Sequence, residues 1–373
     1  MSVATSPTSS ISAAQLADRL AQGEPMTVLD LREDAEWGIE APAASTRHVP
    51  PSDVLADPAA VARELSGPVA VVCNRGLTAR PVAEVLRGLG IDAMVVESGM
   101  RGWILALQAR PVDLGIEGLV VLQIQRPGRG CLSYLLAADG QALVVAPAPD
   151  AAFYVALAHD LGVQIADILD THLHADHLSG ARMLSELTGA TLRLPALALE
   201  RGVNYTQSVE PLRDRDTIML GLVKLQALAL PGHTTDMTGL LVADRALIGG
   251  DSLFLDGIAR PDLQQSDPEG ARAMGRILHE TLHDRVLTLD EDVVLLPGHT
   301  HPGVRRDAAA LRLADVRLAV PELSIEDPGE FAARLLSEMP PRPANYEAII
   351  AVNAGAHPFD PELETGGNSC SAR

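Results

Sequence analysis

The sequence predicts two domains in tandem: a small parallel α/β domain, then a larger domain of mixed α/β structure. Three observations carry this. Short apolar runs alternate with helical patterns between Ile11 and Leu107, as in strands joined by crossover helices. A stretch with Pro111 and two glycines, Gln108–Gly118, reads as a linker. Beyond it come three successive strand patterns and then strand–turn–helix units.

Residues 1–10 are small and polar and are expected to be disordered. Within the first domain, 11–108, MTVLDLRE is a strand ending in charge. PVAVVCNRG is a buried strand running into a glycine turn. ARPVAEVLRGLG is a helix stopped by Gly90, and IDAMVVESG is another strand. The second domain, 117–319, opens with the strands LVVLQIQ, CLSYLLA and QALVVAP. Residues 320–373 hold the proline-rich PPRPANY and a Gly/Ser tail. They predict a helical segment packed on the second domain, then a frayed end.

A length of 373 residues suits two such domains and an appendage. The formal net charge of −20 argues against nucleic acid and anionic membrane surfaces as partners. Aromatics at 3% leave little for a base-stacking platform. No run approaches the ~20 apolar residues of a membrane span. MSVATSPTSS lacks the features of a secretion or transit signal, so a cytoplasmic location is expected. Three cysteines, Cys73, Cys131 and Cys370, cannot build a disulfide framework. Cys131, in a strand, and Cys370, in the tail, read as ordinary thiols. Trp37 and Trp103 read as core packing.

Histidine carries the chemistry. IADILDTHLHADHLSG is an apolar strand followed by His172, His174, Asp176 and His177 within six residues. Imidazole with carboxylate suits Zn, Fe or Mn rather than Ca or Mg. Three further segments share the grammar of a buried strand, a tight turn and a donor. LQALALPGHTT ends in His233, RALIGGDSLF in Asp251, and DVVLLPGHTH in His299, with His301 beyond. Neighbouring strand ends converge on one sheet edge, so these donors are expected to meet in one pocket.

THLHADH, PGHT, GGDSLF and LPGH together resemble the metallo-β-lactamase superfamily over about Leu119 to Gly303. The resemblance implies an αββα sandwich with a metal pocket at one edge. It implies His172, His174 and His233 at the first metal's histidine positions. Asp251 would be a carboxylate that touches one metal or bridges two, and Asp176, His177 and His299 second-metal positions. His301 matches no family role. THLHADHLSGA, GDSLFLDGIARPDLQ and PPRPANYEAIIAVN look like the persulfide (sulfur) dioxygenase branch. That branch implies one Fe(II) on the facial triad His172, His233 and Asp251, with Arg260 and Asp262 supporting the pocket. The alternative is a dinuclear zinc glyoxalase II-like thioester hydrolase, and the alternative cofactor to Fe(II) is Zn(II), one or two per chain. A third reading is a non-catalytic sulfur-relay protein. Relatives commonly carry an Asp where VVAP has Ala146, so metal affinity or pocket rigidity is expected to differ.

Cys73 follows a buried strand and opens CNRGLTAR, which leads into a helix. Successive backbone amides and a helix start favour thiolate or persulfide there. VLDLREDAEW, CNRGLTA and SGMRGW resemble a rhodanese domain over about 95 residues. The resemblance implies Cys73 as a sulfur carrier, with Arg75, Gly76 and the loop amides holding the anion and Asp30 and Arg32 as structural supports. The expected partners are a small persulfide, thiosulfate or sulfite, and O2. Relatives are often homo-oligomers, but no interface pattern is present. Given the acidic balance, attraction for an anionic substrate must be local.

Overall fold

The structure, a computed structural model, describes residues 9–33, 39–41, 44–265, 267–337, 339–342 and 344–365. Trp37, Cys370, most of the expected disordered start and the end of the tail lie outside these residues. The described residues fall into two compact units. The first takes the chain up to Gln108, together with Gln125–Gly130 and His301–Asp307. The second takes Ala109–Ile124, Cys131–Thr300 and the chain from Ala308 onward. Among the described residues, no helix is long and apolar enough to cross a membrane.

The first unit contains strands β1 (Ser10–Ile11), β2 (Met26–Asp30), β3 (Ala44–His48), β4 (Val69–Val72) and β5 (Ala93–Val96). They form a five-stranded, all-parallel sheet in the order β1-β5-β4-β2-β3. Ser10, assigned to the expected disordered start, already pairs with Val95. Helices α1 (Ala13–Ala21), α2 (Pro51–Ala56), α3 (Pro58–Glu64), α4 (Ala79–Gly88) and α5 (Gly99–Leu105) cover the sheet. Leu16 and Leu20 of α1 join Val28 and a fully buried Trp103 in one core. Val54, Val82 and Leu86 join Leu29 and Val71 in another. Strands buried on both faces read as continuous apolar runs, as VAVV and AMVV do. Ser12 starts α1 with a reciprocal cap to Gln15.

The second unit is a two-sheet sandwich. One sheet runs β12-β11-β10-β9-β8-β7-β6. Its strands are β6 (Gln108–Val112), β7 (Val120–Gln125), β8 (Leu132–Ala138), β9 (Gln141–Val145), β10 (Gln164–Leu169), β11 (Thr191–Pro195) and β12 (Val209–Leu212). The other runs β13-β14-β15-β16-β17-β18. Its strands are β13 (Thr217–Leu220), β14 (Val223–Ala229), β15 (Thr238–Val242), β16 (Ala246–Gly250), β17 (Val294–Pro297) and β18 (Leu311–Arg312). Tyr134, Leu136, Leu143 and Val145 meet Leu225, Leu240, Val242 and Ile248 in the core between the sheets. Helices α6 (Ala151–Leu161) and α7 (Ala181–Thr188) contact β10. On the other sheet, α9 (Pro268–Thr281) and α10 (Leu313–Ala319), with α11 (Pro328–Ser337), bury Leu278, Val316 and Phe331 against Leu241, Leu247 and Leu295. This is the αββα arrangement. The short α8 (Ala196–Glu200) follows β11.

One expectation is corrected. Gln108–Gly118 is not a plain linker, because its first half is β6, an edge strand. Pro111 is tolerated there because an edge strand leaves one row of backbone groups unpaired.

Candidate metal centre

β14, β16 and β17 run in the same direction, since β15 is antiparallel to β14 and β16 and β17 is parallel to β16. Their carboxyl ends therefore share an edge. His233 follows β14, Asp251 follows β16, and Gly298-His299 follows β17. The fourth segment, residues 170–178, follows β10 and comes from the other sheet. The expected single sheet edge is thus the joint edge of two sheets, brought together by the core between them.

His172, His174, Asp176, His177, His233, Asp251 and His299 are all buried. Two donor sets emerge whose ligating atoms lie within 4.8 Å of one another: His172, His233 and Asp251, and Cys131, Asp176, His177 and His299. His174 groups with His172 and Asp176, and its Nε2 lies 3.5 Å from Asp170 Oδ1.

In the first set, His172 Nε2 and His233 Nε2 stand 3.9 and 3.8 Å from Asp251 Oδ2. All three atoms are buried without a hydrogen bond. Their other atoms are held. His172 Nδ1 bonds Thr171 Oγ1 at 3.0 Å. His233 Nδ1 donates to the Arg260 carbonyl at 2.8 Å. His299 Nδ1 donates to Asp251 Oδ1 at 2.8 Å. Buried polar atoms without partners are costly, and a divalent cation supplies the missing partner. The triad therefore fits a metal ion on its own chemistry. Imidazoles held through their second nitrogen are the usual arrangement at such sites. A Cβ at position 298 would strike Asp251 Oδ1 and lie 2.9 Å from the Gly250 carbonyl carbon, so the PGH turn requires its glycine.

The second set is internally bonded. His177 Nδ1 donates to Asp176 Oδ2 at 2.8 Å. Burial favours neutral groups here, but the mutual charges win. The Asp176 carboxylate and the Cys131 sulfur lift His177 to about 10. Burial alone would raise the Cys131 thiol, yet His177 and His299 draw it down to about 5. Asp251, also buried, is held well below the usual carboxylate range by His299, His172 and His233. His172 falls well below its ordinary value through burial and the neighbouring His174.

Arg260 and Asp262 are buried rather than a surface pair. Their bidentate contact measures 2.7 and 3.0 Å, and Arg260 also donates to Pro340 O while Arg342 reaches Asp262. The proline-rich segment thus closes on the residue whose carbonyl orients His233. α12 (Tyr346–Asn353) packs Ile349 and Val352 against Leu178. Asn353 Nδ2 donates to His174 O and His177 O at 3.0 and 2.8 Å, and its Oδ1 accepts from Ser179 N. Glu364 accepts from Leu178 N at 2.6 Å, and Asp236, paired with Arg201, accepts from Leu173 N at 2.8 Å.

Ala146 sits at φ 50°, in the left-handed region, and provides no carboxylate. The ligand loop is held instead by Asp170 with Ser179 Oγ at 2.6 Å, and by Asp236, Asn353 and Glu364. The sequence assigned none of these a role: Asp170 marked only the end of the strand before the histidine cluster, and Asp236, Asn353 and Glu364 were not singled out. Cys131, read in the sequence as an ordinary thiol within a strand, lies just before β8, and its backbone pairs with His299. A lone Cys in an apolar run carried no spacing signal. His301 is exposed.

In the first unit, Cys73 follows β4, is 6% exposed and joins the apolar cluster of Leu29, Val71, Ala79 and Val82. Its carbonyl accepts from Met100 N at 2.9 Å. A Cβ on Gly99 would strike that carbonyl and lie 2.9 Å from Arg75 N. A cavity of about 330 Å³ beside the loop is lined by Arg75, Gly76, Arg80, Glu84, Arg87 and Glu97 among others, and Cys73 is not among its lining residues. Asp30 and Arg32 form a bidentate pair at 3.0 and 2.6 Å.

The model of the metallo-β-lactamase superfamily matches residues 126–299. The human persulfide dioxygenase ETHE1 is 28% identical over 149 residues, 39% of this chain and 54% of that protein. The chain thus spans about half the length of that relative. The hydroxyacylglutathione hydrolase of Anaeromyxobacter dehalogenans is 32% identical over 249 residues, 65% of this chain and 86% of that protein. The crystal structure of ETHE1 from Myxococcus xanthus is similar at a TM-score of 0.54 and 25% identity, covering 63% of this chain and 98% of that one.

Proposed function

The chain belongs to the metallo-β-lactamase superfamily, whose members are metal-dependent enzymes, and within it we propose a persulfide dioxygenase. Its substrate would be a low-molecular-weight thiol persulfide such as glutathione persulfide, oxidised to sulfite with O2. One observation carries the reading: two imidazoles and one carboxylate, His172, His233 and Asp251, buried together with their ligating atoms free of hydrogen bonds. That donor set is the facial triad of non-haem iron oxygenases, which leaves positions open for substrates. Iron bound there, one per chain, would supply the electronic means for O2 to react with a sulfur. The balance is one persulfide, one O2 and one water giving thiol, sulfite and two protons.

The protein's part is orientation and support. Thr171 and the Arg260 carbonyl turn His172 and His233 so that Nε2 faces the ion. His299 fixes one oxygen of Asp251 and leaves the other for the ion. Arg260 with Asp262, and Arg201 with Asp236, are ion-paired. Attraction for an anionic persulfide would therefore fall on a cation held by His172, His233 and Asp251.

A thioester hydrolase is the second reading. It is favoured by the second donor set beside the triad, because two metals holding a hydroxide suit hydrolysis. Iron-loaded protein given glutathione persulfide in an oxygen electrode separates the two. O2 uptake with sulfite release supports the dioxygenase. Hydrolysis of S-lactoylglutathione by a zinc form, with no O2 uptake from the iron form, would refute it.

We further infer that the first unit is a rhodanese-like sulfurtransferase domain in which Cys73 carries sulfur as a persulfide. Support comes from the parallel sheet and the placement of Cys73 directly after β4, at the start of the loop that carries Arg75 and Gly76. Thiosulfate with a thiol acceptor tests it: loss of sulfur transfer in Cys73→Ser is expected, and unchanged transfer would sink it.

A further inference from the structure

The metal pocket holds a donor that neither the motifs nor the family resemblance supplies. The backbone of Cys131 pairs with His299 in an antiparallel bridge, and Leu132 N donates to Gly298 O at 2.8 Å. This pairing fixes the buried Cys131 side chain beside Asp176, His177 and His299, with one ligating atom of each within 4.8 Å of the others. We propose that these four side chains form a second metal site in which Cys131 is a thiolate ligand.

One thiolate, two imidazoles and one carboxylate make a complete tetrahedral set, the arrangement of closed zinc sites. Asp176, His177 and His299 alone are indifferent between zinc, iron and manganese; a thiolate shifts the preference to zinc. His299 provides an independent sign. Its Nδ1 donates to Asp251 Oδ1 at 2.8 Å, as the outer nitrogen of a ligating histidine does. Its Nε2 is buried and faces Asp176 Oδ2 at 2.9 Å, on the side of the cluster where Cys131 and His177 lie.

A site closed by four protein donors has no position for substrate. Its ion would hold Asp176, His177 and His299 in place, and through His299 would orient Asp251 toward the triad. The two sites would then differ in kind: an open triad for chemistry and a closed thiolate site that positions it. This rests on donor geometry and goes beyond the choice between oxidation and hydrolysis at the triad.

Full-length protein stripped of metal and titrated with Co(II) tests it. Wild type is expected to bind two Co(II) per chain, one with a near-ultraviolet sulfur-to-cobalt charge-transfer band. Cys131→Ser and Cys131→Ala are expected to lose the band and keep the triad's Co(II). Their second ion should bind at least about tenfold more weakly, the lower end of what loss of even a supporting residue does to metal affinity. A Cys73→Ser/Cys370→Ser double variant should keep the band. A single Co(II) per chain, two without the band in wild type, or a band that survives Cys131→Ser would overturn the proposal. If both Cys131 variants fail to fold, wild type and the double variant decide: a band in both assigns the thiolate to Cys131, and a band absent from either refutes it. Oxygen uptake is not a readout here, so failure of this proposal and failure of the dioxygenase reading are separately visible.

Discussion

Two strand-end loops in this chain carry thiol, imidazole or carboxylate side chains, and they differ in what they leave unsatisfied. The loop after β4 is completed by protein. Met100 N and Arg101 N donate to the carbonyls of Cys73 and Asn74 at 2.9 and 3.2 Å, and the Cys73 side chain lies among apolar neighbours. The pocket after β10, β14, β16 and β17 is not. His172 Nε2, His233 Nε2 and Asp251 Oδ2 are buried with no hydrogen bond. The first loop is a structure finished by protein alone. The second becomes finished only with a cation, which ties its stability and its activity to metal.

The largest effects should come from breaking the pocket. His172→Ala or Asp251→Asn is expected to bring both triad metal content and O2 uptake to background, while Cys73→Ser leaves metal content unchanged. Elemental analysis of the three variants side by side checks this. Next comes Gly298→Ala, whose methyl displaces Asp251. Metal affinity should fall roughly 10–100-fold with the fold retained, read by competition with a chelator and by circular dichroism. Asn353→Leu removes the donors to His174 O and His177 O and the acceptor for Ser179 N. A loss of about 3 kcal/mol in urea unfolding of the metal-free protein is expected, at about 1 kcal/mol per bond.

The pH profile of the metal-free protein sharpens the contrast. Cys131 is lowered from 9.0 to about 5, so its contribution is complete above pH 9.0 and lost as pH falls through 5. His177 is raised from 6.5 to about 10, so its contribution is complete below pH 6.5 and lost as pH rises through 10. With His299 also raised well above its ordinary value and His172 lowered below its own, these groups predict a stability maximum near pH 6.5 with a decline on both sides. A urea midpoint series across pH measures it, and Cys131→Ser should flatten the acid side. The smallest effect is at Ala146, where Gly relieves the left-handed backbone at φ 50°. A gain of about 0.5–1 kcal/mol is expected by the same method.

His172, His174, Asp176 and His177 were legible because they crowd the end of one apolar strand, and His233, Asp251 and His299 because each follows an apolar strand through a Pro-Gly or Gly-Gly turn. Strand patterning likewise marked β2, β4, β5, β7, β8 and β9. What holds the donors was not legible. Asp236, Asn353 and Glu364 act through backbone atoms of the ligand loop, and Asp170 accepts from the Ser179 hydroxyl; hydrogen bonds of these kinds impose no residue spacing. Cys131 reaches the pocket only because its backbone pairs with His299, far away in sequence. β6 was hidden because Pro111 marks a loop until an edge position makes it acceptable in a strand.

The central claim is that His172, His233 and Asp251 hold a redox-active iron. The most direct measurement is iron content and O2 uptake with glutathione persulfide in iron-reloaded wild type and His233→Ala. The account predicts one triad iron and one O2 consumed per sulfite formed in wild type, both lost in His233→Ala. Iron retained by His233→Ala, or wild type that binds iron yet consumes no O2, would contradict it.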